Sequence, residues 1–188
     1  MSTYRINELV GLYCGMNAEQ ASEFLVMFVA DRKINQRRLM AFSAAGLVAT
    51  KGDQVYMTPA GLTIKERILA IRNGTFLSAK PRFTTDELTA LAENAGRLAR
   101  KALPKARGLR SAHMKALAIV ARHPGIVTGA LLKNFSTADV GLLFSCSLIA
   151  STDIDFDQVI KYAPLSLTTQ GLSLLNWCLN EIKLLDDE

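Results

Sequence analysis

Apolar residues fall in a helical rhythm from the start of the chain. Ile6, Leu9, Val10 and Tyr13 recur at three- and four-residue spacing, and Gly15 closes the run. Asn17 then offers an N-cap, with Glu19 and Gln20 in the first turn, for a second helix over 18–30. A polar break over 31–35 leads to a third helix, from Gln36 to about Ala45, which Gly46 stops. The rhythm then changes. Two short β-prone runs, 47–50 and 54–57, flank the turn Lys51-Gly52-Asp53, the pattern of a hairpin. Thr58 and Pro59 follow as the cap and first residue of a further helix.

A second stretch repeats this pattern. The run from Leu39 to Thr50 lies on the run from Val140 to Ser151, and Met57-Thr58-Pro59-Ala60-Gly61-Leu62 lies on Leu167-Thr168-Thr169-Gln170-Gly171-Leu172. The spacing between copies grows from the first match to the second, as a longer hairpin tip over 152–161 would require. Upstream, 111–122 reads as the copy's first helix, broken by His123-Pro124-Gly125, and 128–135 as its second. Two matches in the same order point to duplication of one unit.

Between the copies, Thr84-Thr85-Asp86-Glu87 forms a capping box for a helix over 86–103 that Pro104 ends. Leu88, Leu91, Ala92, Ala95, Leu98, Ala99 and Ala102 share one face, with Glu93, Arg97, Arg100 and Lys101 opposite. Such a stripe needs a cover, either the chain's own domains or the same helix of a second chain. Leu172, Leu175, Leu179 and Ile182 make a similar stripe near the end, with Trp177 beside it.

The expected fold is therefore mainly α with small β-hairpins, an α+β class. It comprises an N-terminal domain over 1–75, a basic helical linker over 76–110 and a C-terminal domain over 111–188. The run LMAFSAAGLVATKGDQVYMTPAGL resembles the recognition helix and wing of bacterial winged-helix regulators of the MarR and PadR type. Met57 stands where that pattern usually has Leu, and Pro59 lies inside it. The resemblance covers about residues 5–72 and implies two winged-helix domains in tandem, a fold that places its third helix in the DNA major groove.

Charge sharpens that expectation. The formal net charge of +5 is unevenly spread: cations outnumber acids nine to six over 1–75 and nine to three over 76–115, but acids lead eight to four over 116–188. The front suits a polyanion and the last third does not. The region at the start of the third helix holds Arg32, Lys33, Asn35, Gln36, Arg37 and Arg38; Arg and Gln carry the forked donors and acceptors that match guanine and adenine edges, and Lys33 can hold a phosphate. Lys51 at the hairpin tip can meet a phosphate. Arg97, Arg100, Lys101, Lys105, Arg107 and Arg110 form a second basic run without an acid over 94–115. The plainer alternatives are solvated helix residues for Arg37 and Arg38, and a complement to the helix dipole for Arg100 and Lys101. The second copy carries Asp139 and no cation over 136–143, and its tip holds Asp153, Asp155 and Asp157, so it is expected to bind a partner or pair chains instead.

Other chemistry is sparse. Cys14, Cys146 and Cys178 are widely spaced among apolar neighbours and read as free thiols. The two histidines, His113 and His123, lie in no nucleophile, phosphate-loop or metalloprotease motif. The aspartates over 153–157 lack the glycine and terminal glutamate of a calcium loop. No cofactor, metal site or enzyme activity is expected. Without an apolar span near 18 residues or a signal segment, no membrane is expected and the location reads as cytoplasmic. The expectation is a homodimeric regulator that binds double-stranded DNA, with a possible protein partner at the acidic C-terminal domain. Two alternatives stay open: a plasmid replication or partition factor, and a winged-helix interaction subunit like the kleisin-binding subunits of bacterial condensin.

Overall fold

The computed structural model describes residues 2–28, 35–52, 54–102, 108–151 and 160–186. The chain divides into two compact units. The first holds Met1–Leu77 together with Val127–Ala130 and, of its later described residues, 160–164; the second holds the rest from Ser78 onward. The protein is mainly helical, with one two-stranded and one three-stranded sheet.

In the first unit, α1 (Thr3–Cys14), α2 (Ala18–Val26) and α3 (Gln36–Ala44) precede β1 (Val48–Lys51), β2 (Gln54–Met57) and α4 (Pro59–Arg72). Asn17 and Gln20 close a reciprocal capping box on α2, and Asn35 caps α3 by accepting from the Arg38 amide. The strands pair antiparallel, with Val48 opposite Met57 and Lys51 opposite Gln54. Helical and hairpin side chains close on one core, in which Cys14, Ala21, Phe24, Leu47, Ile64, Ile68 and Ile71 are fully buried. Phe24 of α2 meets Phe42 of α3 edge-on, ring centroids 5.0 Å apart, and so fixes one helix against the other. Tyr162 and Ala163 join the same core from far along the chain.

The second unit contains α5 (Thr85–Glu93), α6 (Ala95–Ala102), α7 (Ser111–Arg122), α9 (Thr137–Ser145), β4 (Ile149–Ser151) and α10 (Thr169–Asp186). The short β3 (Ile126–Val127) and β5 (Pro164–Leu167) complete a sheet of order β3-β5-β4, and β4 and β5 run antiparallel. The four-residue α8 (Thr128–Leu131) follows β3.

Helix, strand, strand and helix recur in the second copy with the same local bonding. Thr58 donates from its hydroxyl to the Gly46 carbonyl at 2.6 Å, accepts from the Gly61 amide, and gives its own amide to the Leu47 carbonyl. Thr168 does the same with Ser147, Gly171 and Leu148. Both third helices, α3 and α9, span nine residues, and both first helices, α1 and α7, span twelve. At the third-helix-to-strand turn, Gly46 and Ser147 both take positive φ, 70° and 53°.

Two elements differ from their sequence signals. The helix expected over 86–103 breaks at Asn94, whose amide donates to the Ala90 carbonyl while its carbonyl oxygen accepts from Arg97. Its side chain competes with the backbone for partners, which ends one helix and starts the next. The helix expected over 128–135 shrinks to Thr128–Leu131, where Gly129 weakens helix propensity and the Thr128 hydroxyl is tied to the Ala163 carbonyl. The stripe over 88–102 is covered within its own unit, where α5 and α6 pack on α7, and α10 packs on α5. Leu175, Leu179 and Ile182 are likewise buried, with Leu172 and Trp177 half-buried. Neither stripe is left for pairing chains.

Candidate nucleic-acid interface

The first turn of α3 carries the candidate site. The helix begins where Asn35 leaves the extended backbone and caps it, so its first amides point outward with no acid among them. Leu39 and Phe42 face the core, which turns Gln36, Arg37, Met40 and Ala41 to solvent. Gln36 and Arg37 make no side-chain hydrogen bond or ion pair among the described residues, so their forks are free to reach a ligand.

Arg38 is placed differently. Its guanidinium sits 3.3 Å from Glu19 and in direct contact with Glu23, both on α2, and its side chain is only 28% exposed. It braces α3 against α2 beside the Phe24–Phe42 contact. Of the forked residues read from sequence, Arg38 is thus occupied inside the protein. Arg32 and Lys33 lie outside the described residues.

Lys51 stands exposed at the end of β1, next to Gly52, whose φ of 59° turns the chain. It has no partner among the described residues. Tyr56, paired across from Ala49, is 49% exposed on β2. The presenting surface of the first unit is therefore mixed: Gln36, Arg37 and Lys51 are polar, whereas Met40 at 70% exposure and Tyr56 are apolar.

Two of the four described members of the second basic run are engaged within their own unit. Arg97 donates to Asn94 at 2.7 Å, and Lys101 pairs with Glu181 of α10 at 2.9 Å. Arg100 is exposed on α6 without such a partner, and Arg110, also exposed, is the residue at which α7 begins. Lys105 and Arg107 lie outside the described residues, as do the aspartates of the longer hairpin tip. No family model, curated protein or solved structure matches the chain.

The α9 counterpart of α3 presents Thr137, Ala138, Gly141 and Ser145 to solvent, and no cation. Asp139 is turned partly inward. Its carboxylate accepts from the Ser136 hydroxyl at 2.6 Å and lies 3.1 Å from His113 Nε2. These bonds hold it below the usual carboxylate range, the Ser136 hydroxyl first among the causes. His113 is fully buried in α7 and accepts the Arg110 amide at Nδ1, 2.8 Å away, which leaves the proton on Nε2, close to Asp139 but not aligned for a hydrogen bond. Burial pulls its pKa down, more than the nearby carboxylate raises it. The two residues lie 26 apart in the sequence, and nothing local to either signals the contact. Among the described residues, no three metal-ligating side chains converge, and no helix is long and apolar enough to cross a membrane.

Proposed function

We propose that this chain is a DNA-binding protein built from two winged-helix domains in tandem, and that it binds duplex DNA through the first of them. The observation that carries the reading is the first turn of α3. Gln36 and Arg37 project from a capped helix start with their forks unengaged, and the neighbouring hairpin exposes Lys51. In this reading Arg37 and Gln36 contact base edges, Lys51 contacts a phosphate, and Arg38 holds the reading helix in place. Arg100 and Arg110, exposed on the second unit, are further candidates for phosphate contacts of their own. The biological role that fits is a regulator of transcription acting in the cytoplasm, a homodimer on a two-fold site, without a catalytic step. Control of plasmid replication or partition uses the same chemistry.

The experiment is fluorescence anisotropy against mixed-sequence duplex DNA across a salt series. Neutralising several phosphates makes affinity fall by roughly 10³-fold or more between about 50 and 200 mM salt.

A second reading rests on Met40 and Tyr56. Two large apolar side chains on the presenting elements suit a protein partner, as in a winged-helix interaction subunit. Absence of DNA binding at the lowest salt would favour it, and a pull-down with wild type against Met40→Lys would then be the deciding measurement.

A further inference from the structure

The second unit has a surface groove of about 280 Å³ that neither reading uses. Phe83, Val120, Leu167 and Leu172 give it apolar walls, and Lys80 and Arg82 stand at its rim. Phe83 and Val120 are buried at 8% and 1%, so the walls are fixed by the core behind them. Lys80 and Arg82 are exposed and make no ion pair or side-chain hydrogen bond among the described residues. Pro81 between them restricts Lys80 to extended backbone, which limits how far the rim can move. No acid contributes to the lining.

We infer that this groove binds a small amphipathic anion, a medium-chain carboxylate with its acyl tail on the apolar walls and its head between Lys80 and Arg82. The volume lies just below the usual span of small-molecule sites, about 300–1,000 Å³, which suits one short chain and not a folded peptide. Apart from the two cations and Ser166 the lining is apolar, so it offers area for methylenes with a single serine among them. Two cations without a countercharge recognise the carboxylate, and Arg82 can hold both its oxygens. This inference is independent of DNA binding, because the groove shares no residue with the α3 and hairpin site.

Isothermal titration of the full chain with butanoate, hexanoate and octanoate tests it, with octanol as the uncharged control. Expected are saturable one-to-one binding of octanoate, about tenfold tighter binding for each two added methylenes, and octanol at least tenfold weaker than octanoate. The double variant Lys80→Glu and Arg82→Glu should lose at least tenfold for octanoate while its circular dichroism stays unchanged, since both side chains are exposed. No saturable heat with octanoate, equal binding of octanol, or equal binding by the double variant overturns the inference. An acidic apolar peptide that binds where octanoate does not would overturn it too.

Discussion

His113 Nε2 stands 3.1 Å from Asp139 Oδ1, so a fully buried imidazole ties α7 to the start of α9. The ring also accepts the amide of Arg110, the residue just before α7, which makes it a cap and a strut at once. Burial holds the folded pKa of His113 below its ordinary 6.5. The unfolded chain therefore binds a proton more readily. The stability this gives is complete above pH 6.5 and falls as pH drops toward the lowered folded value. Asp139, also lowered, adds a loss in the same direction below its ordinary 3.8. Urea unfolding at stepped pH should show stability declining from 6.5 downward, and His113→Gln should flatten that first decline while costing about 1 kcal/mol at neutral pH. An unchanged slope in the variant would remove His113 as its source.

Adjacent arginines on α3 should behave differently. Arg37→Ala, with Gln36→Ala, should cost about 1–3 kcal/mol in DNA binding and relax preference at the contacted base, leaving thermal stability intact. Arg38→Ala should lower stability by about 1 kcal/mol, because Glu19 and Glu23 lose their common partner. Lys51→Ala should weaken all DNA sequences alike and reduce the salt slope by about 1. Equal effects of Arg37 and Arg38 on stability would contradict the division of labour.

Two glycines lie where a methyl group has no room. A Cβ on Gly61 would sit 1.9 Å from the Leu47 carbonyl oxygen, and one on Gly171 would sit 2.1 Å from that of Leu148. Each carbonyl already accepts from the capping threonine, so it cannot withdraw without breaking that bond. Helix propensity alone would make Gly→Ala favourable by about 1 kcal/mol, but the overlap is larger, and both substitutions should destabilise by about 3 kcal/mol. Gly141 in α9 has nothing within 4 Å of its Cβ position, so Gly141→Ala should stabilise by about 1 kcal/mol. Thermal melts of the three variants check the opposite signs.

At Ser147 the second copy keeps a left-handed residue where the first has Gly46. A side chain costs about 1–2 kcal/mol in that region, so Ser147→Gly should raise stability by about 1 kcal/mol. A lowered melting temperature would show that the Ser147 side chain does something the turn needs.

Thiol reactivity should follow burial. Cys14 is buried, which pushes its thiol up to about 12, and Cys178 is buried as well, whereas Cys146 is half-exposed. A disulfide reagent should modify one thiol in the native protein, at Cys146, and all three after denaturation. Native modification at Cys14 would mean that α1 opens readily.

Much of the fold was legible because its signals are local. Asn17, Asn35, Thr58, Thr84 and Ser136 cap helices through atoms three residues away, and the Gly46 and Gly52 turns carry their own conformation. The recurring strand-to-helix turn was legible for the same reason, since Thr58 and Gly61 recur as Thr168 and Gly171 at a fixed spacing. Pairings between distant elements were not. Nothing near Arg38 in sequence says that Glu19 and Glu23 will claim it, and nothing near Lys101 announces Glu181. The same holds for His113 and Asp139, and for the groove, whose walls come from three separate segments. The stripes over 88–102 and 172–182 were read correctly as apolar faces, but periodicity does not say what covers a face, and here the cover is the same unit.

Tyr162 and Ala163 lie in the core of the first unit, although the sequence assigns them to the second copy. The two copies are thus interleaved, and a single cut after Leu77 does not release either unit whole. A fragment ending there would lack two buried residues of its own interior, and proteolysis in the intervening segment should leave the pieces associated. The interior of the first unit is therefore finished only once residues far along the chain have been made.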